Sequence, residues 1–407
     1  MERSLTNEET IELTERFSAH HYTRYPLVLD RGKGCRLGND ENQTDFLDMI
    51  AGYSAVIFGR SGEYYDRVVS VLINQAQKLA LVTGSYYTEP YTKFCSKLAE
   101  FCSMDKVLAM NTGAEAVETA MKIAKRWAYR TKGVPRNSAG IISCYNNFHG
   151  RTQGVLSLST EEAYRKDFGP LLPGCLSIPF GNINALESVI NKNTAAFIVE
   201  PIQGEGGINI PPDDYLTQAE RVCKKNNTLF VLDEIQTGFG RTGMMFAHQA
   251  FEAKPDLLIL GKALGGGLLP ISAVVGRKDV MSVLDPGSHG STFGGNPLAC
   301  AVACEVLDIL KENPFFVRKA WEVGEYFLRK LEKLKSHTIK EVRGSGLLIG
   351  VELHPLLKTD YYRGRLLEKR ILCGIAHEHT LRFSPPLIVT KEEIDWALPK
   401  IESVLNE

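Results

Sequence analysis

The chain has no excess charge of either sign. Its 407 residues carry 47 Lys and Arg against 48 Asp and Glu, a formal charge of -1. That balance builds no basic field for phosphate-backbone binding, so nucleic acid is not an expected partner. No Cys-x-x-Cys occurs, and the nine cysteines, an odd number, are spread from Cys35 to Cys373. A zinc ribbon and a disulfide framework are therefore not expected, and a reducing compartment such as the cytoplasm is. Met1–Phe17 holds five Glu and two Arg, which argues against a secretory or mitochondrial leader. The tail Leu405-Asn406-Glu407 matches no retention or peroxisomal address. No clean membrane span is present either. Leu257–Gly276 is twenty residues long and largely apolar, but Pro270 and Gly265–Gly267 split it. Lys262 inside it would cost roughly 2.5–3.5 kcal/mol at a membrane centre. Two short buried strands around a glycine-rich loop are expected there.

With 44% hydrophobic and 23% charged residues, the composition is that of an ordinary folded protein. The length suits two domains or one large domain with an appendage. Short β-rich runs alternate with helical stretches through the middle of the chain. The runs are 107–110, 140–144, 175–179, 195–200, 228–234, 257–261 and 271–276. Between the first two, Val117, Ala120, Met121, Ala124, Trp127 and Ala128 fall on one helical face. Such alternation predicts an α/β fold, a largely parallel sheet covered by helices on both faces. The flanks differ. Residues 1–45 read as polar and helical, then irregular, and 305–407 as long amphipathic helices with short strands. These ends are expected to form one smaller α+β domain beside a large domain, 46–304.

Three features point to chemistry. Asp233 ends an apolar run, where a buried charge needs a partner and where open α/β sheets bind ligands. Lys262 lies between an apolar strand and a glycine-rich loop, and burial there would lower its pKa. A lysine for a Schiff base and an acid for a pyridinium nitrogen are what pyridoxal phosphate (PLP) enzymes require. Thr112 and Glu115 form a capping-box pattern before the Val117–Ala128 helix. Gly113 and Ala114 would then offer free N–H groups to a phosphate. Taken singly, each has an ordinary reading: a surface lysine, a capping acid, a capped helix.

Longer motifs in order are far more specific. They are Asn111-Thr-Gly-Ala-Glu-Ala116, Asn147-Phe-His-Gly-Arg-Thr152, Glu200-Pro-Ile-Gln-Gly-Glu-Gly206, Asp233-Glu-Ile-Gln-Thr-Gly238, Gly261-Lys-Ala-Leu264 and His289-Gly-Ser-Thr-Phe-Gly-Gly-Asn-Pro297. With these the chain, from about Phe17 onward, resembles the class III PLP-dependent aminotransferases of fold type I. The likeness is nearest to the branch that acts on ornithine. The resemblance implies a mostly parallel seven-stranded sheet in the large domain and PLP as the cofactor. Lys262 would hold PLP and move the proton, and Asp233 would pair with its ring nitrogen. Gln236 would lie near the phenolic oxygen, Phe148 and Ile235 against the two ring faces, and Gly113 and Ala114 at the phosphate. Ser291 and Thr292 would reach the phosphate of a neighbouring subunit, making a homodimer with active sites at its interface.

For the substrates, L-ornithine and 2-oxoglutarate, the resemblance implies that Tyr53 and Arg151 hold the α-amino-acid end of ornithine. Arg382 would bind the α-carboxylate of 2-oxoglutarate or glutamate, and Glu205 would cover Arg382 while ornithine is bound. Tyr86 and Tyr87 both qualify as the aromatic beside the substrate chain. Tyr53 can also be read as a core tyrosine. Relatives acting on acetylornithine or 4-aminobutyrate usually have an aliphatic residue at the Tyr53 position. His149 points the other way, because ornithine enzymes commonly have Trp there. The family's Gly-His-x-His-Pro stretch is replaced by Phe58-Gly-Arg-Ser-Gly-Glu-Tyr64. No metal is expected: Cys373, His377 and His379 lead into the Arg382 strand without an evident fourth ligand. Arg343-Gly-Ser-Gly346 is read as preceding a strand, not as a dinucleotide loop.

Overall fold

The computed structural model describes residues 4–407; the first three residues of the expected N-terminal segment lie outside it. Seven strands form the central sheet: β1 (Lys106–Met110), β2 (Gly140–Cys144), β3 (Cys175–Ile178), β4 (Thr194–Val199), β5 (Leu229–Asp233), β6 (Leu257–Leu260) and β7 (Ser272–Gly276). Their order is β1-β7-β6-β5-β4-β2-β3. Only β7 runs against its neighbours, antiparallel to both β1 and β6. Every residue of β4, β5, β6 and β7 is buried. That is why these strands read as unbroken apolar runs and not as alternations.

Both faces of the sheet carry a core. On one face Ala196, Ile198, Val231 and Ile259 pack with the helix Gly113–Trp127. On the other, Phe197, Val199, Phe230 and Leu258 pack with the helices Tyr215–Lys225 and Pro297–Glu312. Successive residues of one strand serve opposite layers, as a two-residue period requires. The stripe Val117, Ala120, Met121, Ala124, Trp127 and Ala128 is buried throughout.

At the amino end the structure departs from the sequence reading. After the helix Asn7–Phe17 the chain is irregular only as far as residue 30. It forms an antiparallel hairpin, Arg31–Lys33 with Arg36–Asn39, continued by Thr44–Asp48. These strands are short and polar, so no apolar alternation announces them, and Gly34 at φ +55° makes the turn. Thr44–Asp48 also pairs in parallel with Ile371–Leu372, joining the two ends of the chain. A third sheet, antiparallel, takes Ile339–Ser345, Leu348–Leu353, Thr380–Phe383 and Gly374–Ala376. Arg343–Gly346 lies at its first hairpin. Among the described residues no helix is long and apolar enough to cross a membrane, and all nine cysteines are free thiols.

Candidate active site

The chemistry-bearing residues stand at the carboxyl ends of the parallel strands, around a cavity of about 190 Å³. β5 ends at Asp233, which is buried. Its Oδ1 accepts the Ile235 N–H at 3.0 Å, and its Oδ2 lies 2.6 Å from Nδ1 of His149, also buried. Burial disfavours the charged imidazole. The bond to Asp233 and the negative charges of Asp233 and Glu200 outweigh it, and the His149 pKa is raised. His149 therefore serves as a donor that fixes the Asp233 carboxylate in place. Glu200, one residue past β4, is pushed up to about 7 by burial. Its carboxylate accepts the N–H groups of Phe148 and Gly204, so it ties the 147–151 loop to the 200–206 loop.

Lys262 follows β6 in a tight turn at φ +42°. Such a backbone is strained for a residue with a side chain and is seen where function over-determines it. Burial lowers the Lys262 pKa to about 8, with Glu205 acting against that shift. A fraction of the amine is thus neutral near physiological pH, as a nucleophile must be.

β1 leads into the helix Gly113–Trp127, whose capping box forms: Thr112 Oγ1 accepts the Glu115 N–H, and Glu115 returns the bond to the Thr112 N–H. Helix geometry leaves the Gly113 and Ala114 N–H groups without intrahelical acceptors, and both residues line the cavity. Gly150 lets the neighbouring loop press against this helix start. At φ +133°, a Cβ there would stand 2.8 Å from Ala114 Cβ. Phe148 and Ile235 supply apolar walls. Anion donors at a helix start, a buried carboxylate held by a histidine, a desolvated amine and apolar walls fit a phosphorylated pyridine aldehyde such as PLP.

The surroundings of Glu205 are built differently. Tyr53 sits in a left-handed turn: Ala51, Gly52, Tyr53 and Ser54 have φ of +47°, +56°, +57° and +76°. Glycine takes this readily, but each other residue costs roughly 1–2 kcal/mol. The turn closes through Ser54 N–H to Ile50 C=O at 3.1 Å and Val56 N–H to Ala51 C=O at 2.9 Å. Tyr53 is 42% exposed, so it is not a core tyrosine. Its ring centre lies 5.2 Å from the Arg382 guanidinium. Burial and then the nearby Tyr22 raise its pKa. Arg382 is fully buried on the strand Thr380–Phe383 and is ion-paired to Glu205. His377 donates its N–H to the Glu205 carbonyl at 2.7 Å, so the Cys373–His379 stretch braces the Glu205 loop. Gln236 Nε2 reaches the Tyr53 carbonyl at 3.5 Å.

Arg151 lies over the Tyr164 ring at 3.4 Å and near Phe148 at 5.6 Å, outside the cavity lining. Tyr86, Tyr87 and Ser291 line a separate groove of about 600 Å³, and Thr292 follows Ser291. Within one chain these residues do not meet Lys262. The sequence reading treated His149 only as a departure and did not assign Glu200, Tyr22 or Tyr164 to the site. Glu200 had a signal, an acid ending an apolar run like Asp233. The pairing of His149 with Asp233, 84 positions away, had none.

A profile described as aminotransferase class-III matches residues 17–405. The ornithine aminotransferase of Geobacillus sp. (strain WCH70) is 48% identical over 396 residues, covering 97% of this chain and 98% of that protein. Among solved structures, an ornithine aminotransferase from Toxoplasma gondii, with PLP at partial occupancy in its active site, has a TM-score of 0.94. It is 42% identical, covering 98% of this chain and 94% of that one. An acetylornithine aminotransferase from Elizabethkingia anophelis has a TM-score of 0.89 and 41% identity, covering 99% of both chains.

Proposed function

The chain belongs to the class III aminotransferases, and from that premise we propose that it is a PLP-dependent ornithine δ-aminotransferase. It transfers the δ-amino group of L-ornithine to 2-oxoglutarate, giving glutamate and glutamate 5-semialdehyde, which cyclises to pyrroline-5-carboxylate. When bound, PLP supplies an aldehyde that links to amines and a protonated ring that takes up the electron pair released at the reacting carbon. Lys262 Nζ is the chain's amine for that linkage and moves the proton at the reacting carbon. Asp233, oriented by His149, holds the ring nitrogen in its protonated form. Gly113 and Ala114 would hold the phosphate, Phe148 and Ile235 the ring faces, and Gln236 the phenolic oxygen. Ser291 and Thr292 come from the partner subunit of a homodimer. That placement is supported by their groove, which lies apart from the Lys262 cavity.

The observation that carries the ornithine reading is Arg382, closed off by Glu205 beside an exposed Tyr53. With its carboxylate site covered, the pocket takes an amino acid by the far end. Tyr53 and Arg151 hold that α-end and leave the δ-amine toward Lys262. For 2-oxoglutarate, Glu205 moves aside and Arg382 takes the α-carboxylate with two parallel donors. Tyr86 flanks the substrate chain across the subunit boundary. Residues 1–45 and 305–407 act as one small domain against 46–304, supported by the pairing of Thr44–Asp48 with Ile371–Leu372. Nine unpaired thiols suit the cytoplasm.

Incubation of the PLP-loaded protein with L-ornithine and 2-oxoglutarate tests the reading. Equimolar glutamate and pyrroline-5-carboxylate are expected. Turnover of N-acetylornithine in their place would move the protein to the acetylornithine branch, to which His149 and the Elizabethkingia likeness also point.

A further inference from the structure

The loop that departs from the family pattern, Phe58–Tyr64, sends one charged side chain toward the interior beside the buried Phe58. Arg60 Nη2 lies 2.7 Å from Asp48 Oδ2, and the Asp48 side chain is fully buried. The other oxygen, Asp48 Oδ1, accepts the N–H groups of Ile50 at 3.0 Å and Ala51 at 2.9 Å. Those are the two residues that enter the left-handed turn carrying Tyr53. One carboxylate thus holds the start of the strained turn with one oxygen and a guanidinium with the other.

The surroundings are built around this pair. The Arg60 side chain passes over Gly32, where a Cβ would meet its Cδ at 2.3 Å. The Arg60 N–H donates to Gly34 C=O at 3.1 Å, and Ser61 Oγ accepts the Gly34 N–H at 3.0 Å. The loop is thereby locked to the N-terminal hairpin. Arg241, also buried, is within reach of the Asp48 charge and donates to the carbonyls of Leu347 and Pro385. Next to Pro385, Ser384 donates its N–H to Met49 C=O at 2.7 Å and its hydroxyl to Ile50 C=O at 3.2 Å.

We propose that the Asp48–Arg60 pair is a positioning device that holds the Tyr53 turn in its left-handed form and so sets affinity for the α-end of the amino-acid substrate. Neither residue touches the reacting atoms; both act through Tyr53. The inference rests on the ornithine reading for its substrate but not for its geometry. Left-handed non-glycine residues persist only where neighbours over-determine them. Asp48 supplies two of the constraints, and its buried charge needs Arg60 close by.

The test uses the PLP-loaded full chain as wild type, Arg60→Ala, Arg60→Lys, Tyr53→Ala and the double variant Arg60→Ala/Tyr53→Ala. In the ornithine half-reaction, Arg60→Ala should raise half-saturation about tenfold while the limiting rate stays within about twofold. Arg60→Lys should recover most of the loss. Added to Tyr53→Ala, Arg60→Ala should cost less than about twofold more, because the two act through one contact. A second readout needs no substrate: the fluorine resonance of 3-fluorotyrosine at Tyr53, assigned with Tyr53→Phe, should shift or broaden in Arg60→Ala. An unchanged resonance in a folded Arg60→Ala protein overturns the proposal. So does a tenfold loss that persists undiminished without Tyr53. If wild type ignores ornithine, the ornithine reading fails, and the resonance alone still decides the anchor.

Discussion

The floor and the wall of the site are held by different means. On the floor, Asp233, Glu200 and Lys262 stand at or just past the ends of buried strands whose backbone the whole sheet fixes. On the wall, Tyr53, Glu205 and Arg382 come from three distant segments. These meet through an ion pair, a ring contact and a strained turn. The carboxyl ends of buried central strands give functional groups a fixed place. Segments joined by a few polar contacts rearrange more easily.

Substitutions can sharpen this contrast. On the floor, Lys262→Ala should lower turnover by about 10⁴-fold or more with every amine, since nucleophile and base are lost together. A residual rate above about 1% in steady-state assays would break the assignment. Asp233→Asn should lower both half-reactions equally, by about 10²–10³-fold, with half-saturation little changed. A loss confined to one substrate would move Asp233 from floor to wall. On the wall the effect should be one-sided. Arg382→Ala should slow the glutamate half-reaction about 100-fold through loss of a charged hydrogen-bonded pair, and the ornithine half-reaction by less than about tenfold. Equal losses would mean that the wall does not discriminate.

The parts of the pocket that were legible in the sequence follow the same division. Parallel strands buried on both faces are continuous apolar runs, so β4 to β7 could be placed to within a residue or two. Asp233 could be picked out as an acid ending such a run, and Thr112 and Glu115 as a cap by their spacing. The wall has no comparable local code. Ala51, Tyr53 and Ser54 have side chains that disfavour left-handed backbone, so nothing nearby announces their turn. What permits it is Asp48, fastened to Arg60 in a loop that the sequence marked only as unlike its relatives. The short polar strands at 31–39 were missed for a related reason: their partners lie within a hairpin and not in a periodic core. The resemblance makes both Tyr86 and Tyr87 candidates beside the substrate, and within one chain both lie in another groove.

Two smaller effects refine the comparison. Cofactor capture by the apo-protein should depend on pH through Lys262. Its pKa is lowered to about 8, so the reactive neutral amine is complete above that value and is lost as pH falls. The rate of PLP capture, followed by absorbance, should level off above about pH 8 and fall about tenfold per unit below it. A flat profile between about pH 6 and 9 would contradict a desolvated Lys262. Glu205→Ala should shift preference several-fold from ornithine toward glutamate by uncovering Arg382. An unchanged ratio of the two half-reactions would show that the Glu205–Arg382 pair is a fixed brace and not a cover.

The most direct test of the whole account is a half-reaction with the PLP-loaded protein and no keto acid. L-ornithine, N-acetylornithine and 4-aminobutyrate are mixed with it separately, and loss of the cofactor's visible absorbance is followed. Fast conversion is expected with ornithine, with pyrroline-5-carboxylate as the product, and slow conversion with the other two. Preference for N-acetylornithine would leave the floor of the pocket as described and contradict the role given to Tyr53 and its turn.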